Sequence, residues 1–354
     1  MKPLEYMARY NHEQLVYCSD KGVGLRAIIA IHDTTLGPSL GGIRMRPYIT
    51  EDEAVLDVLR LSRAMTYKAA VAGLPLGGGK AVIIGNPATD KTEALFRSMG
   101  RFVQSLNGRY IATEDVGITV QDIEWVSQET EHAVGLPVSQ GGSGDSSPPT
   151  SFGVLQAMKA CAAEKLGSDS LKGRTIVIQG LGKVGYHLAE LLHEEGARIM
   201  ATDVNRQVVD RAIREINITP VDTEGIYDVV GDIFAPCAFG GILNSKTIPR
   251  LKCPVVCGCA NNQLLEEADA LRLERRGILY APDFVANAGG IINLSFELTS
   301  YDPEAAKEKL LVIRSTTEKV FQMAHKEKIT TARAADRIAE ERIEAVRKVR
   351  PIYL

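Results

Sequence analysis

The apolar run Thr175-Ile176-Val177-Ile178 leads into Gly180-Leu181-Gly182-Lys183-Val184-Gly185, and a helical pattern opens behind it over residues 186–195. A buried strand, a glycine turn and a helix in that order confine this part of the chain to a βαβ unit with parallel strands. Glycine is common in turns, so Gly-x-Gly-x-x-Gly by itself says little. Its setting adds weight, because a second apolar run, Arg198–Thr202, ends in Asp203 at about the spacing a dinucleotide site requires. In such a loop Gly180 permits the tight turn, Gly182 lets backbone approach a pyrophosphate, and Gly185 allows helix and strand to pack closely. The helix N-terminus, with Lys183 and Val184 in its first turn, offers N–H groups and a partial positive charge to phosphate. Asp203 would accept hydrogen bonds from ribose hydroxyls and repel a 2′-phosphate, which favours NAD over NADP. Arg206 could act the other way, but reads as a solvated surface residue.

At 354 residues the chain exceeds the size at which one core stops growing, so two domains are expected. In the first part, Ala27-Ile28-Ile29-Ala30-Ile31, Ala81-Val82-Ile83-Ile84 and Arg109-Tyr110-Ile111-Ala112 read as strands, and residues 53–72 and 93–106 as helices. Residues 139–149, rich in Gly, Ser and Pro, read as a hinge. Beyond it, strand and helix patterns alternate through residues 232–235, 255–257 and 278–280, which predicts a parallel sheet. Ala335, Ile338, Ala339, Ile343 and Val346 then recur at helical spacing, so the last helix is amphipathic and is expected to fold back on the first domain. The expected fold class is α/β in two domains: residues 1–140 plus about 329–354, for substrate, and residues 141–328, a Rossmann-type domain for NAD, with a catalytic cleft separating them.

Composition excludes several classes. A net charge of -3 gives no reason to expect nucleic acid as a partner. No signal-peptide run opens the chain and no apolar stretch reaches membrane-spanning length, so a cytoplasmic setting is expected. Cys253, Cys257 and Cys259 lie close together without a nearby histidine and read as buried thiols; no metal site is expected. Gly77-Gly78-Gly79-Lys80 is not a P-loop, because position 74 is Leu and position 81 is Ala.

Two lysines carry the chemistry. Val58, Leu61, Met65 and Lys68 share one helical face, and that face is apolar, so the Lys68 ammonium points where a core residue would go. A snorkelling lysine is the ordinary alternative. Lys80 follows a glycine run, read as flexible, at the mouth of a strand, and Glu114-Asp115 ends the next strand. Two partly desolvated ammoniums close together would depress one pKa towards neutrality and yield a base, while a neighbouring carboxylate relays the proton. Asp115 could equally be a helix-capping or surface acid.

With these segments in view, the chain resembles the dehydrogenases of leucine, valine and phenylalanine, relatives of glutamate dehydrogenase. The resemblance runs through Thr34-Thr35-Leu36-Gly37-Pro38, Gly41-Gly42, Met65-Thr66-Tyr67-Lys68, Gly77-Gly78-Gly79-Lys80, Asn107-Gly108-Arg109-Tyr110, Ala235-Pro236-Cys237-Ala238, Ala260-Asn261-Asn262-Gln263-Leu264 and residues 281–290. It implies that Lys68 holds the substrate carboxylate, that Lys80 activates water or acts as general base, and that Asp115 shuttles protons. It further implies that Asn262 contacts substrate and that Thr150, Asn261 and Asn287 contact the nicotinamide half of NAD. The implied reaction is reversible oxidative deamination of an amino acid to a 2-oxo acid and ammonium. A homo-oligomer, from dimer to octamer, is implied as well.

Positions matching the side-chain pocket of leucine-type members are Leu40, Thr113, Val134, Ile291 and Leu294, beside Gly41, Gly42 and Met65. None is charged, which argues against an acidic substrate. Their bulk and branching favour leucine, valine and isoleucine over phenylalanine, whereas residues 141–147 and 281–290 look more like phenylalanine or valine enzymes. Two rivals come from other classes. A 2-hydroxy-acid dehydrogenase would need a His–acid pair and an arginine clamp, for which His12, His32, His132, His187, His193 and His325 offer no setting. A non-catalytic NAD-sensing protein would not need Lys68, Lys80 and Asp115 together.

Overall fold

The computed structural model describes residues 2–349, and the chain divides into two compact units. The first comprises Met1–Asp145, Leu294–Pro303 and Ala339–Leu354; the second, Ser146–Asn293 and Glu304–Ile338.

In the first unit the elements are α1 (Pro3–Tyr10), β1 (Gln14–Asp20), β2 (Leu25–Asp33), β3 (Ser39–Arg46), α2 (Glu51–Val71), β4 (Gly77–Ile84), α3 (Glu93–Gln104), β5 (Tyr110–Glu114) and α4 (Val120–Ser127). The five strands form one sheet in the order β1-β2-β4-β3-β5, antiparallel at β1/β2 and β2/β4 and parallel elsewhere. Strand β2 shows why the sheet is covered on both faces. Ala27, Ile29 and Ile31 join a core with Phe96 and Met99 of α3 and Ile123 of α4, while Ile28 and Ala30 join Val55, Val58 and Leu59 of α2. The near-continuous apolar run is the signature of a strand buried on both sides. Thr50, Thr92 and Thr119 accept backbone N–H bonds at the starts of α2, α3 and α4, so the helix starts are written locally.

The glycine run departs from expectation. Gly77, Gly78 and Gly79 are not a flexible approach to a strand but lie inside β4, with Lys80 at its centre. A Cβ on Gly78 would stand 2.1 Å from the Thr66 nitrogen of α2, and one on Gly79 would stand 2.6 Å from the Tyr110 ring. The glycines let backbone meet backbone rather than bend.

The second unit holds α5 (Ser147–Leu166), β6 (Thr175–Gln179), α6 (Lys183–Glu194), β7 (Arg198–Thr202), α7 (Arg206–Ile216), β8 (Thr219–Pro220), β9 (Ile233–Pro236), β10 (Val255–Val256), α8 (Ala268–Arg275), β11 (Leu279–Tyr280), α9 (Asp283–Ala286), α10 (Gly289–Ser295) except its last two residues, α11 (Pro303–Leu310) from its second residue, α12 (Val312–Glu327) and the start of α13 (Thr331–Val349). Its sheet is parallel throughout, in the order β11-β10-β9-β6-β7-β8. This is the doubly wound pattern that alternating strands and helices predict.

The C-terminal helix returns to the first unit, as its apolar periodicity requires. Ala339 and Ile343 of α13 cluster with Ala70 of α2. Arg342 donates to the carbonyls of Ala69 and Ala70 in the last turn of α2, adding a side-chain donor to the backbone N–H bonds those carbonyls accept from Leu74 and Gly73. No described helix is long and apolar enough to cross a membrane.

Candidate active site

Four short segments of the first unit converge on Lys80. Its side chain is 5% exposed, and its Nζ lies 2.9 Å from Asp115 Oδ1. Burial pushes the Lys80 ammonium pKa down; Asp115 opposes the shift and the Arg44 guanidinium reinforces it. Burial alone would raise the Asp115 carboxyl, but Lys80 and Arg44, both hydrogen-bonded to it, hold it at about 2. A cation beside Lys80 that helps to depress it is Arg44, a residue that sequence reasoning passed over. The only available signal was its place in Gly41-Gly42-Ile43-Arg44, a strand the apolar pattern did not reveal.

Glycines again make the room. A Cβ on Gly42 would stand 2.6 Å from the Asp115 Cβ, and one on Gly41 would stand 1.8 Å from the Gly79 carbonyl oxygen. Tyr110, fully buried, donates to the Gly41 carbonyl at 2.7 Å and pins that strand. The same Cβ on Gly41 would stand 3.4 Å from the Met65 side chain, so Met65 sets how closely α2 lies over β3. Lys68 lies one turn further along α2, half-buried, while Val58 and Leu61 on the same face are buried.

Four of the proposed pocket positions also belong to this unit. Leu40 is enclosed in the sheet between Gly78 and Ile111. Thr113 is buried with its Oγ1 unpartnered, beside Gly135, whose Cα would project a Cβ 2.8 Å from that oxygen and 3.5 Å from Leu294. Val134 hydrogen-bonds the Ala112 carbonyl. Glu297, not anticipated from sequence, accepts from the backbone N–H groups of Gly135 and Ser143 at 2.9 and 2.8 Å and so fixes the loop next to Thr113.

The remaining residues form a second group in the other unit. Gly180 has φ +102, and a Cβ on Gly185 would stand 2.2 Å from the Gly180 carbonyl oxygen, as the turn and the close packing require. Nothing lies within 4 Å of a Cβ on Gly182, so that backbone is open to a ligand. Lys183 is exposed and Val184 half-buried at the start of α6. Asp203 accepts from Leu181 N at 2.7 Å and Asn205 N at 2.8 Å, and thereby ties the end of β7 to the glycine loop. Arg206 is exposed and paired with Asp210. Asn287 donates to Asn261 Oδ1 at 2.8 Å and to the Cys259 carbonyl at 3.0 Å, while its own Oδ1 is buried and accepts no bond. Thr150 Oγ1 donates to the Ser146 carbonyl. Asn262 is exposed in a left-handed conformation, and Ile291 is buried. The cysteines Cys253, Cys257 and Cys259 are buried and free.

Comparison with known proteins gives the family of the chain. Residues 12–132 match the family described as Glu/Leu/Phe/Val dehydrogenase, dimerisation domain, and residues 141–212 and 202–350 match Glutamate/Leucine/Phenylalanine/Valine dehydrogenase. The chain belongs to the Glu/Leu/Phe/Val dehydrogenase family. It is 54% identical to leucine dehydrogenase of Geobacillus stearothermophilus, over 100% of this chain and 96% of that one. Phenylalanine dehydrogenase of Lysinibacillus sphaericus is 50% identical, over 94% and 89%. L-tryptophan dehydrogenase from Nostoc punctiforme superposes with a TM-score of 0.84 at 44% identity, covering 97% of this chain and 99% of that one. The protein is therefore an amino-acid dehydrogenase, an oxidoreductase acting on a CH–NH2 bond with a nicotinamide cofactor.

Proposed function

We propose that the protein catalyses reversible, NAD-dependent oxidative deamination of leucine, valine and isoleucine. The observation that carries the chemistry is the buried Lys80 ammonium, lowered in pKa and paired with Asp115. A lysine lowered in this way gives up its proton more readily than an ordinary exposed lysine, and so is suited to act as a base. Lys68 binds the substrate carboxylate and orients the Cα hydrogen. Bound nicotinamide supplies the hydride acceptor. Lys80 then takes a proton from the water that attacks the substrate iminium, and Asp115 relays it as the carbinolamine releases ammonium. Gly41, Gly42 and Met65 keep the substrate backbone close to Lys80, and Asn262 adds a polar contact.

The second unit suits the cofactor. The open backbone at Gly182 and the start of α6 fit a pyrophosphate. The unpartnered Asn287 Oδ1 fits a donor such as the nicotinamide carboxamide, with Asn261 and Thr150 beside it in that role. Asp203, together with an Arg206 already committed to Asp210, favours a free 2′-hydroxyl and hence NAD. We assign substrate binding and oligomerisation to residues 1–140 plus about 329–354, and the dinucleotide to residues 141–328.

The substrate preference rests on Leu40, Thr113, Val134, Ile291 and Leu294, all buried and none charged. The branched or bulky side chains at these positions favour aliphatic substrates over an aromatic ring. A phenylalanine-preferring enzyme is the second reading, supported by the 50% identity to the Lysinibacillus sphaericus enzyme. One methylene discriminates by only about 1–3 kcal/mol, so overlapping activity is expected. Initial rates of NADH formation across apolar amino acids, with NAD and NADP compared, test the assignment. Greater catalytic efficiency with phenylalanine or tryptophan than with leucine and valine would overturn the substrate; no amino-acid-dependent NADH would overturn the reaction. The free cysteines suit a reducing, cytoplasmic setting, and a homo-oligomer between dimer and octamer is expected from light scattering.

A further inference from the structure

A row of alternating charges runs outward from Lys80. Lys80 Nζ holds Asp115 Oδ1 at 2.9 Å, and Arg44 Nε holds the other oxygen, Oδ2, at 2.6 Å. Arg44 Nη1 reaches Asp57 Oδ2 at 3.3 Å, and the Tyr48 hydroxyl donates to the same Asp57 oxygen at 2.7 Å. Tyr48 is itself stacked 4.6 Å beneath the Arg46 guanidinium. Arg44 and Asp115 are both largely withdrawn from water, at 16% and 18% side-chain exposure, so these contacts are only weakly screened.

We propose that Arg44, anchored by Asp57 and Tyr48, is a positioning residue for the proton path: it fixes the Asp115 carboxylate by the oxygen that Lys80 does not use and divides that carboxylate's charge between two cations. The inference rests on Lys80 as base and Asp115 as relay. With both oxygens bound, the Asp115 carboxylate cannot rotate away from Lys80. Because Arg44 competes for its charge, Asp115 grips the Lys80 proton less firmly than it would alone, and the proton leaves more easily. A lysine at position 44 would keep the charge but lose the planar fork that reaches Asp115 and Asp57 together. The ionisable groups acting on Lys80 from the packed elements are Arg44 of β3, Asp57 of α2 and Asp115 after β5. Strand β2 sets uncharged Ala30 opposite it. The α2 helix also carries Lys68, and Tyr110 of β5 has its hydroxyl committed to Gly41.

The test compares Arg44→Gln, Arg44→Lys and Tyr48→Phe with wild type by the pH profile of kcat/KM, by kcat against KM for the amino acid, and by fluorescence titration of NADH. Removing the guanidinium lets Asp115 hold the Lys80 proton more tightly, so Arg44→Gln moves the acid limb of the profile to higher pH. Activity at pH 7 then falls on the order of tenfold and recovers as the pH rises. Arg44→Lys restores part of the profile, Tyr48→Phe shifts it the same way by less, and NADH affinity is unchanged in all three. Should Arg44→Gln fail to fold, the other two decide. An acid limb that stays in place or moves to lower pH, with any loss confined to thermal stability, would show Arg44 to be merely structural. Amino-acid-dependent NADH formation by wild type separates that outcome from failure of the reaction itself.

Discussion

Replacing Asp115 with Asn removes the one negative charge that Lys80 and Arg44 share, and the cost can be worked from the carboxyl's displaced pKa. Asp115 titrates at about 2 in the fold against 3.8 for the free side chain. A depression of that size corresponds to about 2–3 kcal/mol of folding stability. The sign follows from proton counting. Since the folded pKa is the lower one, the contribution is complete above the unfolded value of 3.8 and disappears as pH falls through about 2. Asp115→Asn should therefore be less stable than wild type by about 2–3 kcal/mol at pH 7, with the gap closing between pH 4 and pH 2. Other carboxylates titrate in the same window but cancel in the difference. Urea unfolding of both proteins at equal protomer concentration across this range measures it, the comparison being of midpoints because a two-unit chain need not unfold in one step. Catalytic rate should fall by about 10²–10⁴ in the same variant, as for loss of a general acid–base group. A stability gap that is independent of pH, or below about 0.5 kcal/mol at pH 7, would mean that the two cations do not hold the carboxylate.

Lys80→Ala should abolish amino-acid-dependent NADH formation to the same degree while leaving NADH fluorescence titration unchanged, since Lys80 and the glycine loop belong to different units. Gly78→Ala should destabilise the first unit by about 3 kcal/mol or prevent its folding, because the new methyl meets backbone nitrogen at 2.1 Å rather than a movable side chain; thermal denaturation reports it, and an unchanged melting midpoint would contradict the packing. Burial, with His12 beside it, lowers His32 to about 4 from 6.5. Its neutral form therefore contributes stability that is present above pH 6.5 and lost as pH falls towards 4, about 3 kcal/mol in all. His32→Gln should flatten that part of the pH–stability curve, and a curve identical to wild type would show the histidine to be solvated.

Some features of this protein could be read from local pattern. Thr175–Gln179 and Arg198–Thr202 appear as strands with the expected limits, since short apolar runs beside a glycine turn satisfy propensity, burial and turn chemistry together. Strands β1 and β3 escaped notice. The first is a half-exposed edge strand, and the second carries two glycines and two arginines, a composition that strand propensity disfavours and only its neighbours explain. The glycines at 77–79 were visible as a run, but their purpose was not: they are extended strand residues, small because Thr66, Tyr110 and Asp33 press against them.

Residue types and spacing were enough to mark a glycine turn between a strand and a helix and an α/β architecture, and to single out Lys80 and Asp115 as candidates, because turn geometry, amphipathic period and charge in an apolar setting are written over a few neighbouring positions. The protonation chemistry of Lys80 was not. It depends on burial in the middle of a strand, on Asp115 35 positions along the chain and on Arg44 36 positions before it, brought within hydrogen-bonding reach by parallel pairing of β3 with both β4 and β5. Electrostatic energy falls with distance in space and rises with loss of water, and neither quantity is a property of sequence separation.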